Sequence, residues 1–244
     1  REVKTMLICL DPGHGPGCVN GTPDGTYLEQ EFALDMANRL GRRLRAAGAS
    51  VLLTRTAEEY PGLNVRARIA NGAGADYFVS IHSNAYGDGD EWTSPRGFGA
   101  YTSAGPETAE RNVLAGKILE EVKAAGIVIH GDGRFYNRFT VLTETDMPAV
   151  LLECAFHTNQ EDAELLKDSG WRDKLADAAA RGILEQTGLA FVAVEPEEPE
   201  KHWYDDARAW AMEKGVTDGE RPEEPATRAE VWEMLMRLSG GKGN

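Results

Sequence analysis

Short apolar runs alternate with segments of helical periodicity along residues 1–190, and no other feature of the chain restricts the fold as strongly. Met6–Leu10 is an apolar run stopped by Asp11-Pro12-Gly13. Val51–Leu53 and Tyr77–Ile81 read as two further strands, Phe98–Tyr101 as an additional one, and Ala149–Leu152 as a continuous apolar strand. Between the runs, Phe32, Met36, Leu40 and Leu44 make one stripe of a helix over Glu29–Ala47, closed by Gly48. Val65, Ile69 and Ala70 predict a short helix, and Leu114, Ile118 and Val122 another within Glu107–Ala125. Trp171, Leu175, Ala179 and Ile183 share one face of a helix after the last strand. The expected class is α/β: a twisted, mostly parallel or mixed sheet flanked by helices on both faces.

The pattern ends abruptly. Residues 193–201 are acidic and proline-rich, the composition of a stiff solvated linker separating a main domain (1–192) from a small module (202–244). Three of the five tryptophans (Trp203, Trp210, Trp232) lie in that module, beside Tyr204 and two helical patterns. A segment so short buries little core of its own. Its aromatics are therefore expected to pack on the main domain, on a second copy of the chain, or on a ligand.

A net charge of −14 opposes nonspecific nucleic-acid binding and adhesion to an anionic membrane. No apolar run reaches the ~18 residues of a membrane span. The opening Arg1–Leu10 is too short in apolar residues for a signal peptide, so if the protein works outside the cytoplasm, another route or a removed leader is expected to carry it there. Cys9, Cys18 and Cys154 show no CxxC spacing and no disulfide framework. Cys9 and Cys154 read as small buried residues.

In open α/β sheets functional groups gather at the carboxyl ends of strands. Here one strand delivers Asp11-Pro12-Gly13-His14-Gly15, another Ser80-Ile81-His82-Ser83-Asn84, and the last Leu152-Glu153. Glu29 opens the first helix and returns to the same rim. Two histidines and two carboxylates on one edge match a catalytic zinc with an open position and a nearby general base. Each residue alone has a plainer reading. His14 suits an exposed loop, His82 a hydrogen-bonded strand end, and Glu29 a helix start favoured by the dipole. Glu153 is different, because an unpaired carboxylate at the end of an apolar strand costs several kcal/mol. His130 reads as loop, and His157 as a border residue in an irregular stretch. The run Gly13-His14-Gly15-Pro16-Gly17 lacks the GxGxxG spacing of a dinucleotide loop. Cys154 lacks the surroundings that stabilise a thiolate nucleophile.

At these residues the sequence resembles the zinc-dependent N-acetylmuramoyl-L-alanine amidases, peptidoglycan hydrolases, over about residues 5–190. The resemblance rests on six strings in order: DPGHG (11–15), PDG with an acidic helix start (23–31), LTR (53–55), RARIAN (66–71), SIHSNA (80–85) and MPAVLLE (147–153). It implies one Zn²⁺ per chain held by His14, Glu29 and His82, with Glu153 as the catalytic glutamate and Glu31 the alternative at the helix start. Asn84 and Arg68 are the expected substrate contacts. The chain departs from the family pattern at Pro16–Tyr27, at Cys154–His157 and at Thr143, none of which removes any of those four residues.

The tail resembles one S-layer-homology repeat through Trp210, Lys214–Gly219 and Ala226–Glu230. That resemblance implies binding of a secondary cell-wall polymer, with Trp203, Trp210 and Arg228 as contacts; a helical hairpin that docks or forms a homodimer is the alternative. Together the two resemblances imply a phage or prophage endolysin, held in the host cytoplasm until release, acting on bacterial peptidoglycan. A secreted autolysin, a zinc peptidase cutting within the stem peptide, and an inactive wall-binding protein are the rivals.

Overall fold

The computed structural model describes residues 5–195, 205–216 and 227–238. The chain divides into two compact units, Arg1–Val194 and Glu195–Asn244. In the first, β1 (Leu7–Pro12), α1 (Glu29–Ala46), β2 (Ser50–Leu53), α2 (Leu63–Ala73) and β3 (Tyr77–Asn84) follow one another. Then come β4 (Phe98–Thr102), α3 (Glu110–Ala124), β5 (Ile129–Tyr136), α4 (Thr140–Thr143), β6 (Ala149–Phe156), α5 (Gln160–Lys167) and α6 (Ser169–Thr187).

The six strands form one sheet in the order β2-β1-β3-β6-β4-β5. Every neighbouring pair is parallel except β4 with β6. β1, β3 and β6 occupy the middle and are covered on both faces, which is why their sequences are apolar without alternation. On one face, Phe32, Met36, Leu40 and Leu44 of α1 join Leu114, Ile118 and Val122 of α3 and Leu175, Ala179 and Ile183 of α6 in the main core. On the other, Ala70 of α2 and Val141 and Leu142 of α4 cover Cys9, Phe78, Ala149 and Leu151. The helix stripes read from the sequence are thus the buried ones on α1, α3 and α6.

Four elements differ from the sequence reading, the short α4 among them because that reading assigns nothing over Thr140–Thr143. His130 lies in β5, not in a loop. Gly131-Asp132-Gly133 breaks the apolar alternation there, and the strand exists because it pairs with β4 across a register irregularity between Phe98 and Ala100. β6 is consequently the sixth strand. A separate helix, α5, precedes the Trp171 helix, started by the Asn159 side chain accepting from Asp162 N at 3.1 Å. On α2 the buried residues are Arg66, Ala67 and Ala70, while Val65 and Ile69 are only half-buried.

The second unit contains α7 (Asp205–Glu213) and α8 (Arg228–Leu238). Thr227 and Glu230 start α8 by bonding each other's backbone N–H, at 3.2 and 2.6 Å, a reciprocal capping box. Most of the 193–201 segment, Trp203, Tyr204 and the Arg228 side chain lie outside the described residues. Among those described, no helix is long and apolar enough to cross a membrane.

Candidate metal centre

Because β1, β3 and β6 are adjacent and parallel, their carboxyl ends open on one edge of the sheet. His14 lies in the loop after β1, Glu29 is the first residue of α1, and His82 and Glu153 are register partners on β3 and β6. The Glu29 carboxylate bridges the two histidines: Oε2 is 3.1 Å from His14 Nε2, and Oε1 is 2.9 Å from His82 Nδ1. One donor atom from each of His14, Glu29 and His82 lies within 4.8 Å of the others. Ligands about 2.0–2.1 Å from a tetrahedral zinc stand roughly 3.3 Å apart, so this donor set fits one with little adjustment.

The loop that carries His14 is held from behind by two buried arginines. Arg55 donates to Pro12 O at 3.0 Å, Gly13 O at 2.9 Å and Gln30 O at 2.7 Å. Arg66 donates to Pro12 O at 2.6 Å, to Pro61 O at 2.9 Å and to His14 O, and pairs with buried Asp11 at 2.8 Å. Asp11 also accepts from Thr54 and Ser80. The LTR and RARIAN strings therefore serve the loop. His14 sits at φ 55°, a left-handed conformation that costs of order 1–3 kcal/mol outside glycine and persists because these bonds fix it. Gly13 is required for a different reason. A Cβ there would lie 2.3–2.7 Å from three atoms of the His82 ring.

Glu29 is buried and receives Ser83 N at 3.0 Å as well as the two histidines. Burial alone would raise its carboxyl, but the hydrogen bonds and charges of His14 and His82 hold it well below the usual carboxylate range. Glu31, the alternative at the helix start, is exposed. Glu153 is in the opposite condition. Burial, and then the charge of Glu29, push its carboxyl well above the usual range, and its Oε2 is enclosed with no hydrogen-bond partner. A carboxylate so placed beside a second one favours a cation between them, which is a further sign that the site suits a metal.

Around this core, Cys18 Sγ lies 3.3 Å from His14 Nδ1, the nitrogen turned away from Glu29. Tyr27 donates to Ser83 Oγ at 2.8 Å, and Ser83 Oγ lies 2.9 Å from Nδ1 of buried His157, which packs directly against the site. His130 belongs elsewhere, packed on Phe135 and Phe156. Burial raises Cys9 to about 12 and Cys154 well above the ordinary thiol range, so neither is a nucleophile. A cavity of about 430 Å³ opens beside the histidines, walled by His14, His82, Tyr60, Pro61, Leu63 and Arg66. Of the expected substrate contacts, Asn84 ends β3 beside the site, whereas Arg68 is exposed on α2 and does not line that cavity. His157 thus borders the site as the sequence reading has it, whereas Arg55 and Arg66 enter that reading only within the LTR and RARIAN strings, with no role at the site.

Residues 8–185 match the family described as N-acetylmuramoyl-L-alanine amidase. The chain belongs to that family. A relative among the amidases is N-acetylmuramoyl-L-alanine amidase LytC of Bacillus subtilis (strain 168), 36% identical over 184 residues, covering 75% of this chain and 36% of LytC. The chain thus spans about a third of that relative's length. An endolysin of Bacillus phage SPP1 is 35% identical over 191 residues, covering 76% of this chain and 67% of the endolysin. The solved structure of the catalytic domain of CwlV, an N-acetylmuramoyl-L-alanine amidase from Bacillus (Paenibacillus) polymyxa var. colistinus, aligns with a TM-score of 0.66 at 29% identity. That alignment covers 76% of this chain and all of the CwlV domain. The family thus accounts for the first unit and leaves α7 and α8 outside the match.

Proposed function

We propose that this chain hydrolyses the amide bond between N-acetylmuramic acid and L-alanine in peptidoglycan, with one Zn²⁺ held by His14, Glu29 and His82. The observation that carries the reading is the joint one: three donor atoms within 4.8 Å of each other, beside a carboxylate oxygen of Glu153 that is enclosed and unpartnered. When bound, zinc supplies Lewis acidity, acidifying a water and polarising the amide carbonyl.

Glu153 then handles the proton. It accepts one from the attacking water as the new C–O bond forms at the carbonyl carbon. It returns that proton to the amide nitrogen as the C–N bond breaks. The products are a carboxylate on the sugar's lactyl group and a peptide with a free L-alanine amine. The raised affinity of Glu153 for a proton suits a group that must both take and give one, and the cation offsets the repulsion from Glu29. We assign the whole protein the role of an endolysin, in line with the phage relative, with the second unit as a wall-polymer anchor.

Analysis of digested peptidoglycan tests the reaction. New L-alanine amino termini and intact glycan strands are expected. Cleavage inside the stem peptide would instead make the protein a peptidase, and no cleavage by zinc-loaded protein would leave it a binding protein.

A further inference from the structure

We propose that Tyr101 is a further catalytic residue of this site, its phenol hydroxyl donating a hydrogen bond to the carbonyl oxygen of the scissile amide as that oxygen gains charge. The inference rests on the amidase reading and extends it to a residue outside the metal set.

Strand register places the side chain. β4 runs antiparallel to β6, with Gly99 opposite Glu153 and Tyr101 opposite Leu151, so Tyr101 leaves the sheet on the face that Glu153 occupies. Asn84 stands on the far side of β6, on β3, two residues beyond His82, and pairs with Phe156. The Asn84 side chain and the charge of Glu153 both act on the Tyr101 hydroxyl. A side chain that starts on β4 level with Leu151 and reaches Asn84 on β3 crosses β6 at the level of Glu153. The phenol therefore lies on the face of the sheet that carries Glu153 and is directed across β6 toward β3.

The ring is also held still. Phe135 stacks on it at 4.9 Å between centroids and 24° between planes, and Phe139 leans on it at 5.7 Å and 45°. Gly99 makes room for this wall, since a Cβ there would lie 2.9 Å from the Phe135 ring. A donor fixed in advance against apolar neighbours stabilises developing charge without reorganising, and in a site poor in water its effect is large. Burial and the nearby Glu153 charge raise the Tyr101 phenol above its ordinary value, so it keeps its proton and remains a donor at neutral pH. The attack assigned to Glu153 puts negative charge on the carbonyl oxygen. An uncharged donor there stabilises it without adding to the proton load of the base.

The test compares full-length, zinc-loaded wild type with Tyr101→Phe, a change that keeps the ring and its stacking, on a soluble N-acetylmuramoyl peptide. Loss of one preorganised donor is expected to lower kcat by about 10²–10³-fold. KM, zinc stoichiometry, and calorimetric affinity for the peptide product should stay within about two-fold. A kcat within two-fold of wild type overturns the proposal. So does a raised KM with unchanged kcat, which marks a ground-state contact. An unchanged maximal kcat with a displaced acidic limb also overturns it, because Tyr101 then acts only on Glu153. Wild type that leaves this substrate intact sinks the amidase reading itself, a failure distinct from the others, and Tyr101's role with it.

Discussion

His82 and Glu153 are register partners on adjacent parallel strands, so the sheet ladder itself sets a proposed metal-ligand histidine beside the proposed base. Their roles separate cleanly by substitution. Glu153→Gln keeps the shape of the side chain and leaves His14, Glu29 and His82 in place. It should retain one zinc per chain while activity falls by at least ~100-fold, the usual scale for a general acid–base. His82→Ala should lose both metal and lysis. Metal analysis of the two variants decides the assignment, and loss of zinc from Glu153→Gln would make Glu153 a ligand instead.

The same repulsion predicts a pH-dependent stability in the metal-free protein. Glu153 has a folded pKa raised by burial and by Glu29, above its value in the unfolded chain. Below the ordinary carboxylate pKa of about 4.3, both states are protonated and the group contributes no difference. As pH rises past that value the unfolded chain ionises first, so the folded state loses stability until its own raised pKa is passed. Metal-free Glu153→Gln lacks this penalty. Its Tm should exceed that of metal-free wild type by a few degrees at pH 7, and the two should converge near pH 3. Thermal melts at both pH values check it; a gap that persists at low pH would trace to packing instead.

Gly13 gives a steric test of the histidine position. A methyl group at this residue would lie 2.3–2.7 Å from the His82 ring, and the backbone on either side is held by Arg55 and Arg66. The ring must yield. Gly13→Ala should therefore fold but bind zinc about 10–100-fold more weakly, the range seen when support for a ligand is disturbed. Competitive titration against a chelator measures this, and unchanged affinity would mean that the loop, not the ring, moves aside.

Much of this was legible in the residues, and what was not has specific causes. Continuous apolar runs announce β1, β3 and β6 because both of their faces are covered, and the strand ends then bring His14, His82 and Glu153 to one edge. β5 escaped notice because it is an outer strand carrying Gly131-Asp132-Gly133, with its pairing supplied by β4 and not by its own pattern. Arg55 and Arg66 were passed over since arginines are rarely buried, and only the folded loop reveals the carbonyls they meet. One local signal was available for α5: Asn159 with Asp162 three residues on is a helix-start pair.

The two arginines of RARIAN should respond in opposite ways. Arg66→Ala would leave buried Asp11 without its charge partner and the His14 carbonyl without its arginine donor. Breaking a buried pair from one side typically costs about 3–5 kcal/mol, so a large fall in denaturant midpoint is expected, with weaker zinc binding. Exposed Arg68→Ala should change stability by no more than about 0.5 kcal/mol. Kinetics on soluble muropeptides then assess Arg68 alone: a raised KM at unchanged stability makes it a substrate contact, and wild-type kinetics remove it from the site.

The second unit carries the last prediction. Trp210 is 49% exposed and Trp232 67%, and Met212, Val231 and Leu235 are exposed with them on α7 and α8. Aromatic surface of this kind on two short helices calls for a partner. The proposed binding of a wall polymer would use that surface directly, and the change of composition at residues 193–201 marks where the unit can be removed. The unit boundary falls at Val194–Glu195. Truncation after Ala193 should leave hydrolysis of soluble muropeptides within about two-fold of the full chain, because none of the proposed catalytic residues lies beyond it. Sedimentation with purified walls should show the full-length protein in the pellet and the truncated form largely in the supernatant, with slower lysis of whole walls. Trp232→Ala in the full chain should move binding in the same direction. Equal sedimentation of both forms would remove the anchoring role, and a solution mass that falls from that of a dimer to that of a monomer on truncation would identify the unit as a dimerisation element.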